Sequence, residues 1–391
     1  MHHSRPRTLL HGLAIAAAAL LTSACAMDVT GNINGAGINS AGASEYQVKL
    51  AEYNRIHGAY KAEADAYWDT VSDKRRARIA KRRGREAIGL SDYVLTHPPV
   101  YNGPSRPVDP NAPSKPPEER PEIPVVADFL AAAREQWHFV PDQPRDEVEF
   151  KRAYAQAALA AGLTRDQVIG IYAFETGGHG AHDTQAGVSA KRSRAISHAL
   201  GYNQLLSTNS VSLLAEYGQQ FLAALRAKAH GLNGEPRRHM ERKIEILKRM
   251  VAFSRKIPHK WSEYDRVAKN TPQGLGIHAV LLDVDIGPML QVQKLATSVR
   301  FARVYGKTEP LTAAELELMN LTGDGNGIDM VLMPPALRQQ VPTSNFFQPL
   351  GYSRNPIASR SKTVAGLIAA IQDHMERGVQ SPGARELAAA F

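Results

Sequence analysis

Apolar residues repeat at helical spacing beyond Val125, and this pattern constrains the fold more than any other feature. Four clear examples are VADFLAAAREQWHF, DEVEFKRAYAQAALAAG, SVSLLAEYGQQFLAALRAKAHG and ERKIEILKRMVAFSRK. The sequence has no convincing β-hairpin signal and no repeat of solenoid length. It therefore predicts an all-α fold, whose main domain covers residues 125–391 and includes a C-terminal extension. With 43% hydrophobic and 22% charged residues, the chain can bury a large core.

Three segments of different composition precede this domain. Residues 26–44 are rich in Gly, Asn, Ser and Ala, which predicts a flexible tether. Residues 45–90 show helical spacing again, so we expect a long N-terminal helix there. Residues 91–124 are dense in proline, which opposes helix formation and predicts an extended linker.

Tyrosines form a stripe along the predicted N-terminal helix. They recur every seven residues, at Tyr46, Tyr53, Tyr60 and Tyr67. Such spacing keeps side chains near one face of a helix. We interpret the stripe as a seam that packs on the protein itself or on a partner helix, rather than as a binding site.

Residues 1–25 have the layout of a secretory signal peptide. Arg5 and Arg7 precede an apolar run that is too short to span a bilayer and ends in small residues. Cys25 is the only cysteine of the chain and follows Leu-Thr-Ser-Ala, which resembles the lipobox of bacterial lipoproteins. A plain signal peptide cleaved at the A-x-A pattern of residues 24–26 is the alternative.

The lipobox resemblance implies that Cys25 is lipidated, becomes the mature N-terminus and anchors the protein to a membrane. Ala26, rather than Asp, follows the cysteine. By the same resemblance, this favours the outer membrane of a Gram-negative bacterium. Both modes of cleavage predict an exported protein of the periplasm and cell envelope.

Basic residues are concentrated in one run. Lys74–Arg85 contains eight Lys and Arg residues and no acid, so it accounts for most of the net charge of +9. The run predicts contact with an anionic envelope polymer or lipid, or else a solvated helix end without a partner. We do not expect nucleic acid as a partner, because an exported chain would rarely meet it.

Glu175 lies between an apolar run and several glycines in IGIYAFETGGHGAHDTQAG. A capping box at Thr164–Gln167 begins the predicted helix and Gly177-Gly178 ends it. The carboxyl group should therefore lie in the last turn, where the helix dipole and the neighbouring Tyr172 and Phe174 raise its pKa. The proton donor that cleaves a glycosidic bond needs such a pKa. A solvated surface carboxylate is the simpler alternative.

A second motif, ALGYNQLL at Ala199–Leu206, follows downstream. The pairing of FETGG with GYNQLL resembles the lysozyme-like superfamily of soluble lytic transglycosylases and goose-type lysozymes, over roughly residues 147–229. The resemblance implies a lysozyme-like helical domain, peptidoglycan glycan strands as substrate, and no cofactor. It also implies that Glu175 is the catalytic acid.

The same resemblance implies substrate contacts in three places: after the acid, in the downstream turn, and in a late helix. These contacts are Thr176, Gly201, Tyr202, Gln204 and Asn320. Asn203 and Met319 depart from the family pattern, which has an apolar residue and an aromatic residue at those positions.

The reaction depends on whether a second carboxylate takes part. A lytic transglycosylase needs one acid, whereas an inverting hydrolase needs a second carboxylate with room for water between the two. Asp183 is the nearest candidate, although a turn residue is the simpler interpretation. We therefore predict a lytic transglycosylase that forms a 1,6-anhydro end. The alternatives are a muramidase on the same scaffold and a non-catalytic peptidoglycan-binding or structural envelope lipoprotein.

No metal site is predicted. His179, His182 and Asp183 could be ligands, but the intervening glycines oppose the helix that would align them. Leu321–Met330 looks like a calcium loop, yet Ile328 occupies a ligand position where the loop pattern requires a different residue. We interpret that segment as a glycine-rich turn.

Overall fold

The structure is a computed structural model that describes residues 39–110, 122–189, 191 and 193–391. Helices dominate these residues, which contain three isolated β-bridges and no β-strand. The predicted all-α class is confirmed. The predicted signal peptide, Cys25 and the tether up to residue 38 lie outside the described residues, as do residues 111–121 of the predicted linker.

The described α-helices are named in chain order. They are α1 (Asn39–Gly84), α2 (Val126–Trp137), α3 (Glu147–Ala160), α4 (Arg165–Thr176), α5 (Ser207–His230), α6 (Gly234–Ser254), α7 (Trp261–Asn270), α8 (Pro272–His278), α9 (Gly287–Val304), α10 (Ala313–Thr322), α11 (Asp324–Val331), α12 (Pro335–Arg338), α13 (Pro349–Arg354), α14 (Pro356–Ser361), α15 (Val364–Gly378) and α16 (Pro382–Ala389). Short 3₁₀-helices span Leu90–Asp92, Ala279–Leu282 and Thr343–Phe346. The long N-terminal helix is α1, which begins within the predicted tether.

The chain divides into two units. The first is Met1–Asn54 with Pro104–Ser114, and the second is Arg55–Gly103 with Lys115–Phe391. In the first unit, the start of α1 and a proline-containing segment line a cleft of about 800 Å³. The second unit contains all the candidate site residues that the structure describes.

Two apolar cores stabilise the second unit. One core includes Ile171 of α4 and is built mainly on α3, α4, α9, α10, α15 and α16. The other includes Leu247 of α6 and is built mainly on α2, α5, α6 and the 3₁₀-helix Ala279–Leu282. Helix α9 joins them, because Leu290 packs in the second core and Leu295 in the first. No single described helix is long and apolar enough to cross a membrane. One bent pair, Pro272–Leu282 with Gly287–Val304, reaches that length and composition only when its two parts are taken together.

Helix α4 forms as its sequence predicts. The hydroxyl of Thr164 accepts from the backbone N–H of Gln167 at 3.2 Å, and the Gln167 side chain accepts from the backbone N–H of Thr164 at 2.9 Å. At the other end, Gly177 adopts the left-handed conformation with a φ of 64°. Both signals are local, so the sequence alone locates this helix.

Much of the basic run Lys74–Arg85 lies inside the protein. Arg75 and Arg78 are buried, and both donate to the backbone carbonyl of Asn345, at 3.2 and 2.9 Å. These two arginines therefore attach α1 to the 3₁₀-helix Thr343–Phe346. The expected surface position of the run is wrong for them, because the chain provides buried carbonyl acceptors for both guanidinium groups.

Two further basic residues of the run form ion pairs with acidic side chains. Lys81 lies 2.7 Å from a carboxylate oxygen of Asp92, and Arg82 forms an ion pair with Asp329. Arg83 and Arg85 are exposed. The predicted contact with an anionic polymer therefore stays a prediction for the end of α1.

The tyrosine stripe packs on the protein itself at two positions in the second unit. The ring centroid of Tyr60 lies 5.2 Å from that of Tyr101. The hydroxyl of Tyr67 donates to the carbonyl of Thr96 at 3.0 Å. The middle of α1 and the start of the proline-rich segment are therefore held together by part of the stripe.

Candidate active site

Glu175 lies in the last turn of α4, as predicted, and its side chain is partly exposed. The preceding Ile171, Tyr172 and Ala173 are fully buried. On the adjoining face, the ring of Phe174 meets the ring of His374 edge to face, with centroids 5.2 Å apart. Helix α4 therefore holds the carboxyl group of Glu175 at the boundary between the apolar core and solvent.

Helix α10 brings two polar side chains to Glu175. Glu317 and Asn320 are three residues apart, so they lie on one face of this helix. The amide Nδ2 of Asn320 donates to Oε1 of Glu175 at 2.7 Å. Glu317 is fully buried, and its carboxyl group is close enough to that of Glu175 for one of the two, when protonated, to donate to the other. The site is therefore a carboxyl pair with an amide donor.

Glu317 must hold a proton in this environment. Among the described residues, neither of its buried carboxyl oxygens accepts a hydrogen bond from a donor group with acceptable geometry. An ionised carboxylate in this position would lack both water and a hydrogen-bond donor. Burying such a charge costs on the order of several kcal/mol. A protonated Glu317 instead donates to Glu175 and leaves no charge in the core.

Burial controls the pKa of both groups. Burial, followed by repulsion from Glu175, raises the pKa of Glu317 well above its ordinary value. Burial also raises the pKa of Glu175 to about 7, against the opposing hydrogen bonds from Glu317 and Asn320. Because Glu317 is the more deeply buried, it keeps its proton while Glu175 titrates near neutrality. Because its pKa lies near neutral pH, Glu175 can both donate and accept a proton there.

The segment Leu321–Met330 is not the glycine-rich turn that the sequence predicts. Helix α10 ends at Thr322 and α11 begins at Asp324, so Gly323 alone separates them, with a φ of 79°. Asp324 accepts a hydrogen bond from Ser298 at 2.6 Å. The segment is therefore mostly helical, and its aspartate joins it to α9.

The predicted groove turn is packed in the interior. Tyr202 is fully buried, and its hydroxyl donates to the carboxylate of Glu147. Gly201 is also buried and has a φ of 81°, and a Cβ atom there would lie 2.8 Å from Oε1 of Gln291. These two residues are therefore inaccessible to a ligand, because α3 and α9 cover the turn.

Two other predicted contacts close local turns. The Nε2 group of Gln204 donates to the carbonyls of Gly201 and Thr184, at 2.8 and 3.0 Å. The hydroxyl of Thr176 donates to the carbonyl of Tyr172 at 2.6 Å. Of the five predicted contacts, Asn320 is the one that binds the Glu175 carboxyl group.

Asp183, the candidate second carboxylate, is exposed. None of the hydrogen bonds and ion pairs found among the described residues involves its carboxylate, and it makes no contact with Glu175. The carboxyl group that does contact Glu175 is Glu317, which the sequence interpretation missed. The sequence feature that could have identified Glu317 is its three-residue spacing from Asn320 in AAELELMNLT. An acid in an amphipathic helix is, however, more often a surface residue.

Glu147 makes a second, partly buried contact near the site that the sequence interpretation missed. Its carboxylate accepts from Tyr202 and lies 3.0 Å from Nδ1 of His182. Burial alone would raise the pKa of Glu147, but these hydrogen bonds hold it below its ordinary value. Glu147 therefore ties α3 to both the turn at Tyr202 and the loop that follows Glu175.

The C-terminal helices press on the glycines that follow Glu175. The backbone N–H of Ala384 donates to the carbonyl of Gly178 at 3.1 Å, and the hydroxyl of Ser381 donates to the carbonyl of Gly177 at 3.2 Å. A Cβ atom on Gly178 would lie 2.3 Å from the carbonyl oxygen of Gly378. The end of α4 is thus fixed by α15 and α16.

Five clefts of the described surface lie away from Glu175. Their volumes are between about 220 and about 800 Å³, and Glu175 lines none of them. Within the described residues, no group of three or more His, Cys, Asp or Glu side chains is arranged to hold a metal ion.

The fold and the site define an all-α protein with a protonatable glutamate pair at a helix end. Comparison of the chain with models of known protein families, with curated proteins and with solved structures finds no match.

Proposed function

We propose that this protein is a peptidoglycan lytic transglycosylase in which Glu175 acts first as acid and then as base. The observation that supports the proposal most is the position of Glu175 at the partly exposed end of α4, where Asn320 donates to its carboxyl group at 2.7 Å and the buried Glu317 lies beside it. Burial there raises the pKa of Glu175 to about 7. The resemblance of FETGG and GYNQLL to lytic transglycosylases adds the substrate class.

The first step is protonation of the glycosidic oxygen. Glu175 gives its proton to the oxygen between N-acetylmuramic acid and N-acetylglucosamine, the C1–O4 bond breaks, and its electron pair stays on the leaving oxygen. The Glu175 carboxylate that forms is stabilised by the hydrogen bonds from Glu317 and Asn320. Glu317 positions and stabilises Glu175, and the proton that it shares need not leave it.

The second step uses Glu175 as a base. Its carboxylate takes the proton of the C6 hydroxyl of the same muramic acid residue, and O6 forms a bond to C1. The product is a 1,6-anhydro end, no water is consumed, and Glu175 regains its proton. One group with a pKa near 7 suits both transfers.

The position of the second carboxyl group favours this reaction over hydrolysis. Carboxyl groups are about 6.5–9.5 Å apart in inverting glycosidases and about 5–5.5 Å apart in retaining enzymes. Glu317 is in direct hydrogen-bonding contact with Glu175, which leaves no space for an attacking water or a sugar between them. Asp183 is free of Glu175 and would have to act from the exposed loop.

The proposed setting is the periplasm of a Gram-negative bacterium. There, a lipidated Cys25 would anchor the protein in the outer membrane and the segment that precedes α1 would provide reach. Glycan strands of peptidoglycan are the proposed partner. The exposed Arg83 and Arg85 at the end of α1 could add contacts to anionic envelope material.

The test is mass spectrometry of soluble muropeptides released from isolated sacculi by residues 26–391. The expected products have 1,6-anhydro-muramyl ends and disappear in Glu175→Gln. Glu376→Gln, which changes an exposed glutamate of α15, serves as the matched control and should leave the products unchanged.

Other products would change the assignment. Reducing ends in place of anhydro ends would identify a muramidase, and their loss in Asp183→Asn would make that residue the second carboxylate. Binding to sacculi without release, equal for the protein and Glu175→Gln, would contradict catalysis and favour the cell-wall-binding alternative.

A further inference from the structure

Residues 181–184 form a turn in the loop that follows Glu175, and we call them the histidine turn. The backbone N–H of Thr184 donates to the carbonyl of Ala181 at 3.0 Å, and the N–H of Ala181 donates to the hydroxyl of Thr184 at 2.7 Å. His182 lies within this turn, and only 14% of its side chain is exposed. The histidine turn therefore holds a titratable ring against the protein, at a place that the proposed function does not use.

Three side chains surround the His182 ring. Nδ1 lies 3.0 Å from Oε2 of Glu147, Nε2 lies 3.1 Å from Oε1 of Gln143, and the Phe150 ring packs against it with centroids 5.1 Å apart. Because an ionised carboxylate only accepts, Nδ1 carries a proton toward Glu147 whether the ring is neutral or charged. Gln143 is exposed, and its amide can offer either its oxygen or its nitrogen to Nε2. Neutral and protonated rings therefore fit the same position and differ in their charge.

Glu147 is the charged group that faces this ring. Burial acts to raise the pKa of Glu147, but its hydrogen bonds hold that pKa below the ordinary value, so the carboxylate is ionised wherever a histidine titrates. Asp183, the next residue of the turn, is exposed. A proton on His182 therefore makes the ring the cationic partner of Glu147. The other charged residues of the adjoining elements have partners of their own: Lys151 with Glu386, Arg145 with Glu149, and Asp142 with Lys243.

The histidine turn also contacts the segment 201–204. The carbonyl of Thr184 accepts from the backbone N–H of the buried Gly201 at 3.0 Å. The hydroxyl of the buried Tyr202 donates to Glu147, the same carboxylate that the histidine ring faces. The histidine turn is therefore attached to α3 on one side and to the segment 201–204 on the other.

We propose that His182 is a pH-sensitive clamp, which holds the histidine turn closed when it is protonated and loosens it when it loses the proton. In the closed turn, the imidazolium forms an ion pair with Glu147. Opening separates these charges and is easier for the neutral ring, so the closed population falls as the pH rises. The loosened turn releases the N–H of Gly201. The inference is independent of glycan cleavage, because none of the contacts of His182 among the described residues involves Glu175 or Glu317.

The test is hydrogen exchange of the Gly201 amide, measured by NMR from about pH 5 to about pH 8 on residues 26–391. Division by the intrinsic exchange rate at each pH gives a protection factor, which removes the direct effect of pH on exchange. Every protein in the series carries Glu175→Gln, so that the titration of Glu175 does not contribute. The Cε1–H signal of His182, identified by its absence from His182→Gln, follows the charge of the ring in the same samples.

We expect the protection of Gly201 to fall about two- to tenfold as the pH rises, because a partly exposed ion pair contributes a free energy of this order. The midpoint should coincide with that of the His182 signal. The pH dependence should disappear in His182→Gln and also in Glu147→Gln, which keeps the ring but removes its charged partner. His179→Gln, which changes an exposed histidine of the same loop, should leave the pH dependence unchanged.

Four results would overturn the proposal. These are a protection of Gly201 that stays constant while His182 titrates, a protection that rises with pH, a pH dependence that disappears in His179→Gln, and a pH dependence that survives in Glu147→Gln. The last comparison leaves the histidine ring in place, so it decides the question even where His182→Gln fails to fold.

Discussion

At the residue scale, burial raises the pKa of Glu175, and the buried Glu317 moderates this rise. It is neutral and donates a hydrogen bond, so it lowers the pKa of Glu175 against the larger effect of burial. A proposed acid that must become a base gains from such a neighbour, because the hydrogen bond strengthens as Glu175 loses its proton.

Two substitutions of Glu317 separate its charge from its donor. Glu317→Gln retains a donor, so the pH at which activity falls should stay near that of the native protein. Glu317→Leu removes the donor, so the pKa of Glu175 should rise and the loss of activity should move to higher pH. The measurement is the rate of anhydro-product release as a function of pH.

An ionised Glu317 would give the opposite result for glutamine. Replacing a carboxylate by an amide would then remove a repulsive charge, and the fall in activity would move to lower pH. That outcome would contradict the proton assignment at the pair.

At the element scale, the junction of α4 with the C-terminal helices depends on Gly178. Gly177 and Gly178 both have left-handed backbones, with φ of 64° and 72°. A Cβ atom on Gly177 meets nothing within 4 Å, whereas one on Gly178 would lie 2.3 Å from the carbonyl oxygen of Gly378. Gly177→Ala should therefore cost about 1 kcal/mol of unfolding free energy, and Gly178→Ala should cost about 1–3 kcal/mol more.

Urea denaturation measures both costs in the same background. Equal effects of the two alanines would show that α15 and α16 do not press on the turn. If the Gly178→Ala protein releases product more slowly under conditions where it is still folded, this would further show that the contact orients Glu175.

The docking of α1 is a second property of an element. Arg78 is fully buried, donates to the carbonyls of Asp92 and Asn345 at 3.0 and 2.9 Å, and lies near Asp329. Arg78→Met should lower the unfolding free energy by about 3–5 kcal/mol, because these acceptors lose their buried partner. Arg83→Met changes an exposed arginine of the same helix and should stay within about 0.5 kcal/mol of the native protein. Thermal and urea unfolding compare the two, and a neutral Arg78→Met would contradict the docking role.

At the scale of the whole molecule, local signals explain what the sequence could predict. The capping box at Thr164 and the glycine at 177 each act within one turn, so helix α4 and the position of Glu175 follow directly. The site itself depends on a contact between residues 145 positions apart, from Asn320 to Glu175, and no local pattern specifies that contact. The lysine- and arginine-rich run was misplaced for the same reason, since its buried acceptors come from Asn345.

Whole-molecule stability should depend on pH through the same pair. Burial raises the pKa of Glu175 from 4.5 to about 7 on folding. Protonation therefore favours the folded state: the contribution is complete below 4.5 and is lost as the pH rises through about 7. The unfolding free energy of the native protein, relative to Glu175→Gln, should fall by about 3 kcal/mol over this range. Urea titrations at several pH values measure it, and parallel pH profiles for both proteins would contradict the raised pKa.

The most direct test of the central claim is the titration of Glu175 itself. In residues 26–391 labelled with ¹³C at glutamate carboxyl groups, the signal that is absent from Glu175→Gln identifies this residue in NMR spectra. Burial beside a neutral Glu317 predicts a midpoint near 7 for that signal and no ionisation of Glu317 in the same range. A midpoint near the ordinary value of 4.5 would contradict the account, because Glu175 would then be ionised at neutral pH and unable to serve as the acid.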